Sequence, residues 1–318
     1  MRIRERQRAM GNLVTMDDLT NDDIVSILDD AERLVPVAKG DILLPLLQGK
    51  VLANMFFENS TRTRMSFETA MKRLGGSVLN FSSVGTSVSK GETLYDTMQM
   101  IDGYADIAAI RHPRQGAAQY SADAVEIPIL NAGDGAGNHP TQTMLDLFTI
   151  RQSHGKLDGL NVVLVGDLRY GRTVHSLSHA LVRFGASLTL VSPSSLKMPA
   201  EIVSDLKSHG ADVTETESLD GQISEADVIY MTRIQKERFP DEEEYSKVAG
   251  IYRIETANLV GAKKGMIIMH PLPRVDEIAP SVDSSEFAKY FQQAFNGVPT
   301  RMALLCRGLG VEVPKKVS

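Results

Sequence analysis

Residues 51–76 read VLANMFFENSTRTRMSFETAMKRLGG. Val51 to Phe57 is an apolar run of strand length, and Glu58 to Arg64 is polar and rich in hydroxyls. Met65, Phe67, Ala70, Met71 and Leu74 then recur at helical spacing until Gly75 and Gly76. A strand, a short polar loop and a helix form the unit of α/β proteins, and parallel sheets bind ligands beyond the carboxyl ends of their strands. A helix start leaves backbone N–H groups unpaired and carries partial positive charge. Ser60, Thr61 and Thr63 add hydroxyl donors and Arg62 a charged fork, so the segment predicts an anion cradle made without glycine. Taken alone, an ordinary Ser/Thr cap beside surface arginines fits it equally well.

The same alternation continues on both sides. Further strands are expected at Val78–Ser82, Ile107–Ile110 and Ile127–Asn131, and a helix at Pro140–Gln152. It restarts with strands at Asn161–Val165 and Ser187–Val191 around a helix near Thr173–Phe184, which is a βαβ unit. More strands are expected at Val228–Met231 and Met266–Met269, and the final helix includes Arg301–Cys306. Near the start, a helix over about Asp22–Leu34 has Thr20 or Asn21 as its cap. The fold class is therefore α/β, with two domains, each a parallel sheet flanked by helices. The boundary is expected after residue 152, and 318 residues suit two domains of ordinary size.

The segments at the carboxyl ends of the strands are polar and cationic. The third strand ends at Arg111-His112-Pro113, and the fourth leads to Asp134 and then Asn138-His139-Pro140-Thr141-Gln142. In the second half, Gly166-Asp167-Leu168-Arg169-Tyr170-Gly171-Arg172, Thr232-Arg233-Ile234-Gln235 and His270-Pro271-Leu272-Pro273-Arg274 occupy the corresponding places. Each residue alone has a plainer reading, Arg111 as a surface ion-pair partner and His139 as a loop histidine with a local partner. Their convergence favours an anionic ligand, because arginine binds carboxylate and phosphate in a bidentate plane. The glycines after Val165 lack the G-x-G-x-x-G spacing of a dinucleotide site.

Composition narrows the classes further. A net charge of -6 argues against a general nucleic-acid binder, and no apolar run approaches the length that spans a bilayer. The arginines at positions 2, 4, 6 and 8 are not followed by the apolar stretch of a signal peptide, so a cytoplasmic location is expected. The single cysteine, Cys306, excludes an internal disulfide and reads as a small apolar residue of the last helix. His175 and His179 lack the glutamate of a zinc-protease helix and read as helix-face residues. Asp241 to Glu244 reads as a solvated, mobile acidic loop, and Thr86 to Glu92 as a flexible polar loop.

Together, Ser60-Thr61-Arg62-Thr63-Arg64 after Phe57-Glu58, His139-Pro140-Thr141-Gln142 and His270-Pro271-Leu272-Pro273 resemble the carbamoyltransferases over essentially the whole chain. Glu58, the loop with Ser87 and Lys90-Gly91-Glu92, and proline at position 271 resemble the branch that uses aspartate more than the one that uses ornithine. The resemblance implies a carbamoyl-phosphate-binding domain over 1–152, on which the terminal helix 296–318 packs back, and a Rossmann-like aspartate-binding domain over 153–295. It implies transfer of the carbamoyl group of carbamoyl phosphate to the amine of L-aspartate, a step of de novo pyrimidine synthesis, without cofactor or metal. Ser60, Thr61, Arg62 and Thr63 would hold the phosphate, and Arg111, His139 and Thr61 the carbonyl oxygen. Gln142 and the backbone of Leu272 and Pro273 would receive the amide. Arg172, Arg233 and Gln235 would bind the two carboxylates of aspartate, with Ser87 and Lys90 arriving from a neighbouring subunit of a homotrimer. Arg62, Arg111, His139 and Lys90 would carry the catalysis. The loop is one residue shorter than in some relatives, which leaves Thr86 and Ser87 as competing alignments. The sequence also leaves open whether separate regulatory chains join the trimer. An ornithine-specific enzyme and a non-catalytic scaffold are the rival readings, and the intact set of arginines disfavours both.

Overall fold

The computed structural model describes residues 11–82, 91–135, 137–234, 239 and 241–317. The chain divides into two compact units, one holding the chain up to Leu145 together with Phe295 onward, the other Asp146–Ala294. In chain order the elements are α1 (Asn21–Lys39), β1 (Val51–Phe56), α2 (Thr61–Arg73), β2 (Ser77–Ser82), α3 (Leu94–Tyr104), β3 (Ile107–His112), α4 (Ala117–Ala124), β4 (Ile129–Asp134) and α5 (Pro140–His154). They continue with β5 (Asn161–Val165), α6 (Arg172–Val182), β6 (Ser187–Val191), α7 (Ala200–Ser208), β7 (Val213–Thr216), α8 (Gln222–Glu225), β8 (Val228–Met231), α9 (Glu242–Ser246), β9 (Ile267–Met269) and α10 (Tyr290–Gly308). Each unit is a parallel sheet flanked by helices, ordered β2-β1-β3-β4 in the first and β7-β6-β5-β8-β9 in the second.

In the first unit, the pleat of β1 sends alternate residues to opposite faces. Ala53 and Met55 join Met98 and Ile101 of α3, and Ala118 and Ala122 of α4, in one buried cluster. On the other face Asn54 donates to the Arg64 carbonyl of α2 and to Asn80 of β2. The helix after β1 and the helix before β3 thus lie on opposite faces of the sheet. Between β3 and β4 the register shifts beside Arg111, where Gly133 takes a φ of 116°. The terminal helix belongs to this unit from Phe295 onward: Arg307 pairs with Asp23 of α1 at 2.6 Å, and Arg301 stacks over Phe67 of α2 at 5.0 Å.

Several expectations change in detail. Thr20, rather than Asn21, caps α1, in a reciprocal capping box with Asp23. The helix continues beyond Leu34 through Pro36 to Lys39, where Gly40 at φ 89° accepts the left-handed turn that ends it. The two compact units part inside helices, between Leu145 and Asp146 of α5 and between Ala294 and Phe295 of α10. α5 runs unbroken to His154, so no loop marks the change of unit. Asp241 to Glu244 form no loop: the Asp241 side chain accepts from the Glu244 N–H and caps α9, with glutamates in the first turn favoured by the helix dipole. Cys306 is buried, and burial, reinforced by the negative charge of Asp30, pushes its thiol up to about 12. No helix among the described residues is long and apolar enough to cross a membrane.

In the second unit the ends of β5 and β8 approach so closely that a side chain is excluded. Gly166 has a φ of 113°, and a Cβ there would lie 2.3 Å from the Thr232 carbonyl oxygen. The approach is fixed by the Thr232 N–H and hydroxyl, both donating to the Val165 carbonyl at 2.8 and 3.0 Å. Gly166→Ala should therefore destabilise the protein by about 2 kcal/mol or more, from strain and backbone displacement. Gly103→Ala, in the open on α3, should be neutral or stabilise by roughly 0.5 kcal/mol. Urea unfolding of the two variants beside the parent checks both signs.

Candidate active site

In the first sheet the order reverses between β1 and β3, the point where neighbouring crossovers leave on opposite faces and a crevice opens at the carboxyl ends. The cradle expected from sequence stands there. Ser60 is the N-cap of α2, yet its side chain makes no capping bond, so its hydroxyl is not spent on the helix. Thr61 and Arg62 are exposed and Thr63 is buried, all in the first turn. Desolvation of the guanidinium by neighbouring groups lowers the pKa of Arg62, which stays charged.

Arg111 is next to last in β3, the neighbour of β1, and both its Nε and its Nη2 donate to Oε1 of Glu58, at 2.9 and 2.7 Å. The pair fixes the guanidinium beside Glu58. Next in order, β4 delivers His139, buried, at the entry of α5, with Nδ1 3.5 Å from the Thr141 hydroxyl. Gln142 is buried in the first turn of the same helix, its N–H bonded to the His139 carbonyl. Asp134 organises this approach. One carboxylate oxygen accepts from the Asn138 N–H and the Asn131 amide, and the other from the Gly116 N–H. In the sequence Asp134 stands out only as a landmark; its anchoring role depends on the strand it comes from meeting the loop after β3.

The second sheet reverses between β5 and β8. Arg172 opens α6 after β5, and Arg233 lies just past β8, both half-buried. Asp167 braces the turn between β5 and α6 by accepting the Tyr170 N–H at 2.9 Å. Gly166, Thr232, Arg233, Tyr252, Asp276 and Glu277 line one pocket of this unit. Leu272 and Pro273 come after β9, joined by a cis peptide bond. The expected residues Ser87, Lys90 and Gln235, and the alternative Thr86, lie outside the described residues. His175 lies on α6, its Nε2 bonded to the Leu168 carbonyl of the preceding turn at 2.8 Å. Among the described residues no group of three or more His, Cys, Asp or Glu could hold a metal ion.

Glu277 is a site residue that sequence reasoning missed. It is buried, accepts from His270 Nε2 at 2.6 Å, and takes the N–H groups of Val275 and Asp276 at 3.1 Å each. A glutamate several residues beyond the strand carries no sequence signal of this, since only the folded loop brings it back.

Both units match models of one family. Residues 11–152 match the carbamoyl-P binding domain, and residues 158–307 the Asp/Orn binding domain, of aspartate/ornithine carbamoyltransferase. The chain belongs to that family. Among its relatives, the aspartate carbamoyltransferase catalytic subunit of Methanothermobacter thermautotrophicus is 55% identical over 92% of this chain and 94% of its own. That of Archaeoglobus fulgidus is 55% identical over 93% and 98%. Of solved structures, the catalytic subunit of M. jannaschii aspartate transcarbamoylase superposes with a TM-score of 0.87 at 51% identity, covering 93% of this chain and 97% of that one. Aspartate transcarbamoylase from Trypanosoma cruzi in complex with carbamoyl phosphate and aspartate gives 0.90 at 40% identity, covering 96% and 97%.

Burial alone would raise the pKa of Glu277, yet the bonds from His270 and from backbone N–H groups outweigh it and hold the carboxyl down to about 2. Its folded value lies below the ordinary 4.5, so its contribution to stability is complete above that pH and is lost as pH falls toward 2. The stability difference between the parent and Glu277→Gln should accordingly shrink by about 2 kcal/mol between roughly pH 6 and pH 3. Urea unfolding across that range tests it, and a constant difference would contradict an ionised Glu277.

Proposed function

We propose that this chain is an enzyme transferring the carbamoyl group of carbamoyl phosphate to the amine of L-aspartate, giving N-carbamoyl-L-aspartate and phosphate. One observation carries the reading: β1, β3 and β4 lie side by side, and their carboxyl ends present Ser60–Thr63, Arg111 and His139–Gln142 along one edge. Unpaired amides at the start of α2, three hydroxyls and Arg62 suit a phosphate, while Arg111, His139 and Thr61 supply donors for a carbonyl oxygen. Gln142 and the carbonyls of Leu272 and Pro273 suit the amide nitrogen. Arg172 and Arg233 supply the forked donors that two carboxylates need, with Gln235 beside them in sequence. In this reading residues 1–152 with 296–318 bind carbamoyl phosphate and 153–295 bind aspartate.

The deprotonated amine of aspartate attacks the carbonyl carbon, forming the C–N bond and placing negative charge on the oxygen. Fixed donors stabilise that charge without reorganising. The C–O bond to phosphate then breaks, and the departing phosphate takes the amine proton. The chain's contribution is positioning and charge stabilisation, with no covalent intermediate. Ser87 and Lys90 are proposed to reach the site from a neighbouring subunit of a homotrimer. The chain is proposed to work in the cytoplasm, in pyrimidine synthesis, either alone or with regulatory chains.

Incubation with carbamoyl phosphate and either L-aspartate or L-ornithine, with products identified by mass, should yield carbamoyl-aspartate alone; carbamoyl-ornithine would place the error in the amine pocket. Arg62→Ala should lower turnover by at least ~100-fold, the scale for losing a preorganised donor to developing charge. Parent-like kinetics in that variant would remove Arg62 from the site.

A further inference from the structure

Leu272 has a φ of 55°, and it is the one non-glycine residue in the left-handed region among those described. For a leucine this conformation is strained, so the surroundings must hold it. His270 does so directly. Its Nδ1 accepts the Leu272 N–H at 2.7 Å, which leaves the ring proton on Nε2, and Nε2 donates to Glu277 at 2.6 Å. The backbone N–H of His270 donates to Gln293 at 2.8 Å, Gln293 donates to Asp146 at 2.7 Å, and the other oxygen of Asp146 accepts from the Tyr230 hydroxyl at 2.8 Å. The side chains of Asp146, Tyr230, His270, Glu277 and Gln293 are all buried. On the far side of the turn Arg274 forks onto Asp283 and packs against the rings of Tyr290 and Phe291.

We infer that His270, held in its Nε2–H form by Glu277, is a positioning residue for the reaction. By fixing the Leu272 peptide it sets the direction in which the carbonyls of Leu272 and Pro273 meet the carbamoyl nitrogen. This rests on the role given to those two carbonyls above. A buried network of this kind also contributes to stability, so the two roles must be separated.

Two amide substitutions divide the ring's functions. Asparagine places an acceptor where Nδ1 stands, keeping the Leu272 bond but not reaching Glu277. Glutamine places its amide where Nε2 stands, keeping the Glu277 bond but losing Leu272. The inference expects stability and activity to run in opposite orders. His270→Gln should unfold at higher urea than His270→Asn, which takes the His270 donor from Oε1 of the buried Glu277 carboxylate. Yet His270→Gln should lose at least ~10-fold in kcat/KM for carbamoyl phosphate, from misplacement of its amide partners. His270→Asn should stay within about threefold, and the KM for aspartate should stay within about threefold in both. Any other activity order, including equal losses or losses that follow stability, overturns the inference. Arg62→Ala, run alongside, separates the two failures. If it has no effect on carbamoyl phosphate kinetics, the assignment of the site is wrong; if it does while the histidine variants fail the expected order, only the positioning role is.

Discussion

Neighbouring parallel strands whose crossovers leave on opposite faces of a sheet cannot close their carboxyl ends against each other, and the crevice left there is what this molecule builds on. It occurs once in each unit, between β1 and β3 and between β5 and β8. The first collects hydroxyls, helix amides and arginines, and the second is lined by arginines at half-buried positions. Because the central strands β1, β3, β5 and β8 are mostly buried, the polar residues around them are displaced to these ends, and the chemistry goes with them.

A crevice alone does not fix loops. In each unit a buried carboxylate does so by accepting backbone N–H groups: Asp134 for the approach to His139, Asp167 for the turn before Arg172, Glu277 for the turn carrying Leu272. Buried carboxylates are stable only when paired or hydrogen-bonded, so each is evidence that its loop has one arrangement. Gly166 adds a steric version of the same constraint, since the two strand ends that meet there pass too close for a Cβ.

The α/β class and most strands were legible because parallel strands read as continuous apolar runs. β5, β6 and β8 coincide with the stretches read from sequence. β7 escaped, since Val-Thr-Glu-Thr is short, lies at the sheet edge and is largely exposed, so it lacks an apolar run. The strand-end residues were legible one strand at a time, but which of them are neighbours depends on the strand order, and periodicity does not encode that. Glu277, Gln293 and Asp146 were not legible as supports for Leu272, because they come from a loop and two helices whose meeting is a tertiary event. The end of α1 was placed too early, ahead of Pro36, because Gly40 and not the proline terminates it.

The central claim is that the phosphate of carbamoyl phosphate lies at the start of α2, with its carbonyl directed to Arg111 and His139. A crystal structure of the protein with carbamoyl phosphate bound tests this most directly. The account predicts the phosphorus beside Ser60, Thr61, Arg62 and Thr63, with the carbonyl oxygen within hydrogen-bond distance of Arg111 and His139. A phosphate bound away from the first turn of α2 would contradict it.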